Sequence, residues 1–187
     1  MVQGIILAGG FSSRAISNKM LFDFDGKPLI WHAINGMRPF VDRIIVVTGR
    51  YDQEIKSALR DEKDIVYAYN KDYSKGMFSS VKTGVTFADG DFFILPGDCP
   101  FVSRETYELI LKGTKPVRFP RCGEKDGHPL FIKASLKESL LNEPDDSNLK
   151  AFRNRQDYEV IMIDDPNVSI DIDTQEDYQS VLKERNK

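Results

Sequence analysis

Apolar positions along the chain fall into short blocks at two different spacings. Five blocks are apolar nearly throughout and rich in β-branched and aromatic residues: "GIILA" around Ile5, "RIIVVTG" at 43–49, "DIVYAY" at 64–69, "DFFILPGD" at 91–98 and "YEVIMI" at 158–163. Strands covered on both faces read this way, because neither side has to meet water. Between them, apolar residues return every three or four positions, the spacing of a helix face. "PLIWHAINGMRPF" predicts a helix with Pro28 at its first position and an end near Pro39, and "DQEIKSALRDE" and "SSVKTGVTFA" predict two more. "SRETYELILKG" predicts a fourth, with Ser103 as N-cap and Gly113 as stop.

Strand alternating with helix through the first two-thirds predicts an α/β, Rossmann-like fold, with a mostly parallel central sheet flanked by helices. The last third departs from that alternation. "VRFP-RCGEKDG-HPLFI" predicts two short strands around a polar, glycine-bearing loop, a small antiparallel excursion from the main sheet. A helix at "ASLKESLLN", a polar stretch "EPDDSNLKAFRN", a strand and a terminal helix "TQEDYQSVLKER" follow. No linker divides the chain, and 187 residues can bury a substantial core without staples, so a single domain over 1–187 is expected.

Composition narrows the functions. With 26 basic against 29 acidic side chains the net charge is −3, so nothing global steers the protein to nucleic acid or to an anionic membrane. A polyanionic ligand must be held locally, and residues 1–20 offer such a place: they hold Arg14 and Lys19 and no acidic side chain. Two cysteines, Cys99 and Cys122, make neither a disulfide framework nor a zinc-finger spacing, which fits a reduced, cytoplasmic setting. No stretch approaches the ~20 apolar residues of a membrane span, and the first residues lack a signal-peptide pattern.

In open α/β sheets ligands bind beyond the carboxyl ends of the strands. That rule singles out the loops at 8–19, 70–80 and 96–102. In the first, "LAGGFSSRAISNK", Gly9 and Gly10 let backbone amides come close to a ligand and Arg14 and Lys19 can neutralise phosphate oxygens, although a plain surface loop has the same ingredients. It is neither a Walker A loop nor a GxGxxG fingerprint. In the third, "LPGDCPF", Asp98 stands just past an apolar strand, suited either to Mg²⁺, which takes one or two protein carboxylates, or to capping the turn. "SIDIDTQEDY" adds Asp171 and Asp173, either of which can be a second metal carboxylate while a neighbour caps the terminal helix. "YSKGMFSSVKTG" places Gly76, Ser79 and Ser80 at a helix start, where amides and hydroxyls bind a phosphate or read a base edge, or simply cap the helix under a lid of Met77 and Phe78. His128, in "DGHPLF", can contact an anionic acceptor or serve as a turn residue, and His32 reads as packing or surface.

The order of these pieces says more than any one of them. "LAGGFSSRAISNK", "KGMFSSVKTG", "LPGDCPFV", "GHPLF" and "DIDTQEDY" in succession resemble the nucleotidyltransferases that act on molybdopterin, most closely the molybdenum cofactor cytidylyltransferase branch, over nearly the whole chain. The resemblance implies a nucleotide-diphospho-sugar-transferase type of fold. It also implies transfer of NMP from an NTP, CTP before GTP, to a phosphorylated acceptor such as molybdopterin, with Mg²⁺ and release of pyrophosphate. By the same resemblance the backbone of Leu7, Ala8, Gly9 and Gly10 lies by the nucleotide, Arg14 and Lys19 bind its phosphates, and Gly76 and Ser80 match positions near base and ribose. Asp98 matches one metal ligand and Asp173 the second, with Asp171 the less favoured alternative; Arg14, Lys19 and Asp98 form the catalytic set.

Two departures stand out. Ala15 and Ile16 follow Arg14 where the family usually has Met-Gly, and Gly9 stands where the cytidylyl branch commonly has Ala, a Gly-Gly pair being more typical of the guanylyl branch. A guanylyltransferase is therefore the nearest alternative. A sugar-nucleotide glycosyltransferase, for which the "DID" at 171–173 lies very late, and a non-catalytic nucleotide-binding module are more distant ones. The absence of an obvious catalytic His or Cys suits the enzyme reading: a phosphate acceptor is already ionised, so positioning and charge neutralisation carry the reaction.

Overall fold

A computed structural model describes residues 1–10, 18–170, 172 and 177. The chain opens with β1 (Val2–Leu7). After a 3-10 turn at Lys19–Leu21 it makes a small hairpin, β2 (Asp23–Phe24) and β3 (Lys27–Pro28), and then α1 (Leu29–Met37). There follow β4 (Arg43–Thr48), α2 (Asp52–Ala58), β5 (Ile65–Tyr69), α3 (Met77–Thr86), β6 (Asp91–Pro96) and α4 (Arg104–Lys112). The last third supplies β7 (Val117–Cys122), β8 (Lys125–Asp126), β9 (Leu130–Ile132), α5 (Lys137–Leu141), α6 (Leu149–Asn154) and β10 (Tyr158–Met162).

The strands form a sheet in the order β10-β7-β9-β6-β1-β4-β5, with β8 hanging on β7. β6, β1, β4 and β5 pair in parallel, as do β7 and β10. The expected antiparallel excursion is present, and its second strand is more than an edge hairpin. β9 is inserted between β6 and β7 and runs against both, so Leu130 faces Ile94 on one side and Phe131 faces Arg118 on the other.

Because side chains alternate along a strand, each central strand feeds two apolar layers. Ile6, Val46, Phe93, Leu95 and Phe131 meet the face of α1 formed by Ile30, Ala33, Ile34 and Met37, together with Tyr107 and Ile110 of α4. Ile5, Leu7, Val47, Ile94, Phe119 and Leu130 meet Phe78, Val81 and Val85 of α3, Leu140 of α5 and Phe152 of α6. Burying each large side chain contributes about 1.5–3 kcal/mol, and this two-sided burial is why the strands read as continuous apolar runs. Among the described residues no helix is long and apolar enough to cross a membrane.

Local signals set several boundaries. Ser103 Oγ accepts the Thr106 N–H at 3.2 Å at the start of α4 and Gly113 ends it, as its sequence predicts. Pro28 is the N-cap of α1, one position earlier than expected. "EPDDSNLKAFRN" is not uniformly irregular: Asn148 Oδ1 accepts the Ala151 N–H at 2.8 Å and opens α6, which buries Phe152. "ASLKESLLN" divides into a 3-10 turn at Ala134–Leu136 and the short α5. The expected terminal helix at 174–185 lies outside the described residues, apart from Asp177.

Asp165 holds the segment after β10 to the start of α4. Its Oδ2 accepts from the Ser103 backbone N–H at 2.9 Å and the Thr106 hydroxyl at 3.0 Å, and its Oδ1 from the backbone N–H and side-chain amide of Asn167 at 3.1 and 3.0 Å. Burial raises its pKa, but these bonds to the charged form outweigh burial and leave it below the ordinary value. A carboxyl depressed in the folded state contributes stability that is complete above its unfolded pKa, near 3.9, and is lost as pH falls through the folded value. Asp165→Asn should therefore cost about 1–2 kcal/mol at neutral pH, and the gap to the wild type should close as denaturant melts are repeated at pH values falling below ~4. A gap that stays constant with pH would rule out the charged carboxylate as its source.

Candidate active site

The carboxyl ends of β1, β4, β5 and β6 form one rim, because the parallel ladder continues a step beyond the strands. Ala8 N–H donates to Val47 O at 2.8 Å, Asn70 N–H to Thr48 O at 2.9 Å and Gly97 N–H to Leu7 O at 2.9 Å. These bonds start the three loops singled out by position, at 8–19, 70–80 and 96–102, from one rim.

Gly9 lies flush against its neighbours. A Cβ there would stand 2.7 Å from Ser80 Oγ and 3.4 Å from Thr48 O, and one on Gly49 would stand 2.6 Å from Gly9 O. Only glycine permits so close an approach. Gly10, next along, is exposed, and a Cβ there would meet nothing within 4 Å among the described residues. The start of the loop is thus close-packed at Gly9 and exposed at Gly10.

Ser80 is the floor beneath Gly9. Its side chain is buried, and Oγ lies 3.0 Å from Asn70 Nδ2, which also donates to Ser79 Oγ at 2.8 Å. Asn70 Oδ1 in turn accepts the Asp72 N–H at 2.9 Å. Gly76 precedes α3 with φ of 104°, a left-handed conformation that favours glycine, and turns the chain so that Ser79 Oγ reaches Gly76 O at 2.7 Å. Met77 is no lid on this helix: it is 64% exposed, whereas Phe78 is buried. Asn70 joins this candidate site through its hydrogen bonds, and the sequence motifs do not single it out. Its one signal is position, a lone amide directly after an apolar strand in a loop already marked.

On the other side of β1, Lys19 Nζ lies 2.6 Å from Asp98 Oδ2, with both side chains largely buried, 12% and 15% exposed. Asn18 caps the turn that carries Lys19: its Oδ1 accepts the Met20 N–H at 3.2 Å, while its buried Nδ2 has no hydrogen-bond partner among the described residues. Asp98 O accepts the Ile172 N–H at 3.1 Å, which brings the chain between Asp171 and Asp173 to the end of β6. Arg14, Asp171 and Asp173 themselves lie outside the described residues. His128 is tied to the same segment, its N–H donating to Val168 O at 2.7 Å. His32 is a packing residue. Its Nε2 is 2.8 Å from Phe24 O and its ring lies edge-on to Phe24 and Trp31.

Among the described residues no three His, Cys, Asp or Glu side chains gather into a metal cluster. The donor set nonetheless fits a hard divalent cation of the kind that takes one or two carboxylates and completes its shell with water and phosphate. Asp98 has a carboxylate of the kind such an ion takes, and Lys19 beside it balances its charge.

Known proteins resemble this chain in both sequence and fold. The chain is 27% identical over 177 residues to the molybdenum cofactor cytidylyltransferase of Escherichia coli (strain K12), covering 93% of this chain and 92% of that protein. It is 24% identical over 190 residues to the molybdenum cofactor guanylyltransferase of Shewanella piezotolerans, covering 96% and 91%. Its fold matches a nucleotidyl transferase from Methanothermobacter thermautotroptrophicus with a TM-score of 0.87 at 22% identity, over 100% and 99% of the two chains. It also matches Rv0371C of Mycobacterium tuberculosis H37Rv, solved as a complex with manganese, with a TM-score of 0.77 at 20% identity over 97% and 98%. The MobA-like NTP transferase domain matches residues 4–160, most of the sheet and the whole described rim up to His128, and the chain belongs to that family of nucleotidyltransferases.

Proposed function

We propose that the protein transfers an NMP unit from an NTP, CTP before GTP, to a phosphorylated small-molecule acceptor such as molybdopterin, using Mg²⁺ and releasing pyrophosphate. The observation that carries this reading is the Lys19–Asp98 pair, mostly out of water, with Asp98 just past the end of β6 as Gly9 is just past the end of the adjacent, parallel β1. The preference for CTP rests on the "GHPLF" segment and on the resemblance to the cytidylyl branch.

In this reading the acceptor phosphate oxygen bonds to the α-phosphorus as the bond to the β-phosphate bridge breaks, and pyrophosphate leaves. The exposed Gly10, with Leu7, Ala8 and Gly9 behind it, receives the nucleotide, and Gly76 and the Ser79–Ser80 turn stand by base and ribose. Lys19 and Arg14 neutralise phosphate oxygens, and the Asn18 amide offers a further donor. Asp98, with Asp173, would hold the metal, which when bound draws charge from the triphosphate. No side chain has to remove a proton, so orientation and a preformed electrostatic environment account for the rate.

A thermal-shift panel of the four NTPs with Mg²⁺ tests the first half of the reading. A ligand that binds only the folded state raises its stability, by about 2.7 kcal/mol at a hundred times Kd, so one nucleotide, CTP by this account, should raise the melting temperature by several degrees and the others less. Equal shifts for all four, or none, would remove base-selective NTP binding. Release of pyrophosphate only when molybdopterin is added tests the second half.

A further inference from the structure

Two stretches of the last third, the β7–β8–β9 excursion and α6, meet at Asp126. Arg121 sends Nε and Nη2 to Asp126 Oδ1, each at 2.6 Å, and Arg153 of α6 sends Nη2 to Asp126 Oδ2 at 2.8 Å. Both carboxylate oxygens are therefore taken by guanidinium groups. Burial raises the Asp126 pKa, and the hydrogen bonds and charges of the two arginines more than reverse this, so the carboxyl stays ionised. Two cations about one anion leave a net charge of +1.

The two arginines are not equivalent. Arg153 is 9% exposed, lies with its Cζ 3.9 Å over the ring of Phe119, and sends Nε to Asn154 Oδ1 at 3.1 Å. It is fixed on three sides. The Arg121 side chain is 36% exposed and has five N–H donors, of which those on Nε and Nη2 turn to Asp126. That leaves further donors on a planar guanidinium whose orientation is already set, an arrangement that suits phosphate oxygens.

Register places Arg121 relative to the site. Val117 and Phe92 both face Ile132, and Arg118 and Phe93 both face Phe131, so Arg121 is level with Pro96, two residues before Asp98. β7 lies two strand spacings from β6, roughly 10 Å. Arg121 follows Val117 and Phe119 at every second position, and so lies on the sheet face that carries Leu7 and α3, the side of Gly9 and Ser80. Across the rim the order is Gly9 on β1, Asp98 on β6 and Arg121 on β7.

We propose that Arg121 recognises the phosphate monoester of the acceptor, on the far side of Asp98 from the nucleotide, and that Asp126 and Arg153 are positioning residues that aim its guanidinium. The proposal rests on the nucleotidyl-transfer reading above and adds the residue that reads the acceptor's charge.

Inorganic phosphate, titrated into protein saturated with Mg²⁺ and a non-hydrolysable analogue of the preferred nucleotide, tests it without turnover. Arg121→Gln should weaken phosphate binding about tenfold or more with nucleotide affinity unchanged, and Arg121→Lys should recover part of the loss. Asp126→Asn adds a net positive charge yet removes the clamp. Weaker phosphate binding in that variant supports positioning, and tighter binding overturns it. Phosphate affinity in Arg121→Gln equal to wild type overturns the proposal. If that variant melts early, Arg121→Lys, which keeps the charge and loses the planar fork, takes its place: weaker phosphate binding supports the proposal and wild-type binding overturns it. Failure of the wild type to release pyrophosphate from any NTP would instead remove the functional reading, and the phosphate titration, run with Mg²⁺ alone, would still show whether Arg121 binds an anion.

Discussion

Asp98→Asn is expected to slow pyrophosphate release by about 10³-fold or more while the protein stays folded. A metal-held carboxylate at the reacting phosphates accounts for several kcal/mol of charge stabilisation, and each ~1.4 kcal/mol is a factor of ten in rate. The local backbone does not depend on that charge. Gly97 N–H bonds to Leu7 O, Cys99 N–H to Pro96 O and Ile172 N–H to Asp98 O, and all three survive a change confined to the Asp98 side chain. The change leaves Lys19 without its carboxylate partner at 2.6 Å, which costs stability on the order of 1–3 kcal/mol for a largely buried pair. A large fall in rate beside a small fall in melting temperature is the signature of a chemical role. Mn²⁺ titrated in the presence of nucleotide should also bind more weakly. A rate within tenfold of wild type would end the assignment of Asp98 to the metal.

Where local sequence determines local structure, the reading from sequence holds. Ser103 and Gly113 bound α4 because a side-chain cap and a terminal glycine act within one turn. β1, β4 and β6 are continuous apolar runs because both their faces are covered, whereas β5 and β10, equally apolar in sequence, are half-buried strands at the sheet edges, and the loops after β1, β5 and β6 start from one rim because parallel strands share a carboxyl end. What was not legible depends on partners far along the chain. The insertion of β9 between β6 and β7 is settled by pairing Leu130 with Ile94, 36 positions away by number, and no local pattern encodes it. α6 has six residues in a polar stretch and only an Asn cap and Phe152 to announce it. Nothing near Asp165 marks its role, since its partners Ser103 and Thr106 lie some sixty residues earlier. At the site, Asp98 and Lys19 are each visible by residue type and loop, whereas their direct pairing, and the clamp of Asp126 by Arg121 and Arg153, emerge only from the fold.

Gly9→Ala should lower both stability, by about 1–3 kcal/mol, and nucleotide affinity, by roughly tenfold or more for a loop displaced by about an ångström, and adding Ser80→Ala should restore most of each. The new methyl group would press on Ser80 Oγ at 2.7 Å, and that oxygen has no room to yield, since it is buried and held by Asn70 Nδ2 at 3.0 Å. Removing the hydroxyl clears the space, and Asn70 keeps its bond to Ser79 Oγ at 2.8 Å. The two substitutions touch, so they should be strongly non-additive, with the double variant closer to wild type than Gly9→Ala alone. The geometry also changes what Gly9 says about the base. Its missing Cβ points at Ser80 and Thr48, inside the fold, whereas Gly10 beside it is exposed. Glycine at this position therefore answers to the residue at 80 and does not by itself select GTP. The order of CTP and GTP in the thermal-shift panel should then be the same for the wild type and for the double variant; a reversal would show that position 9 reads the base after all.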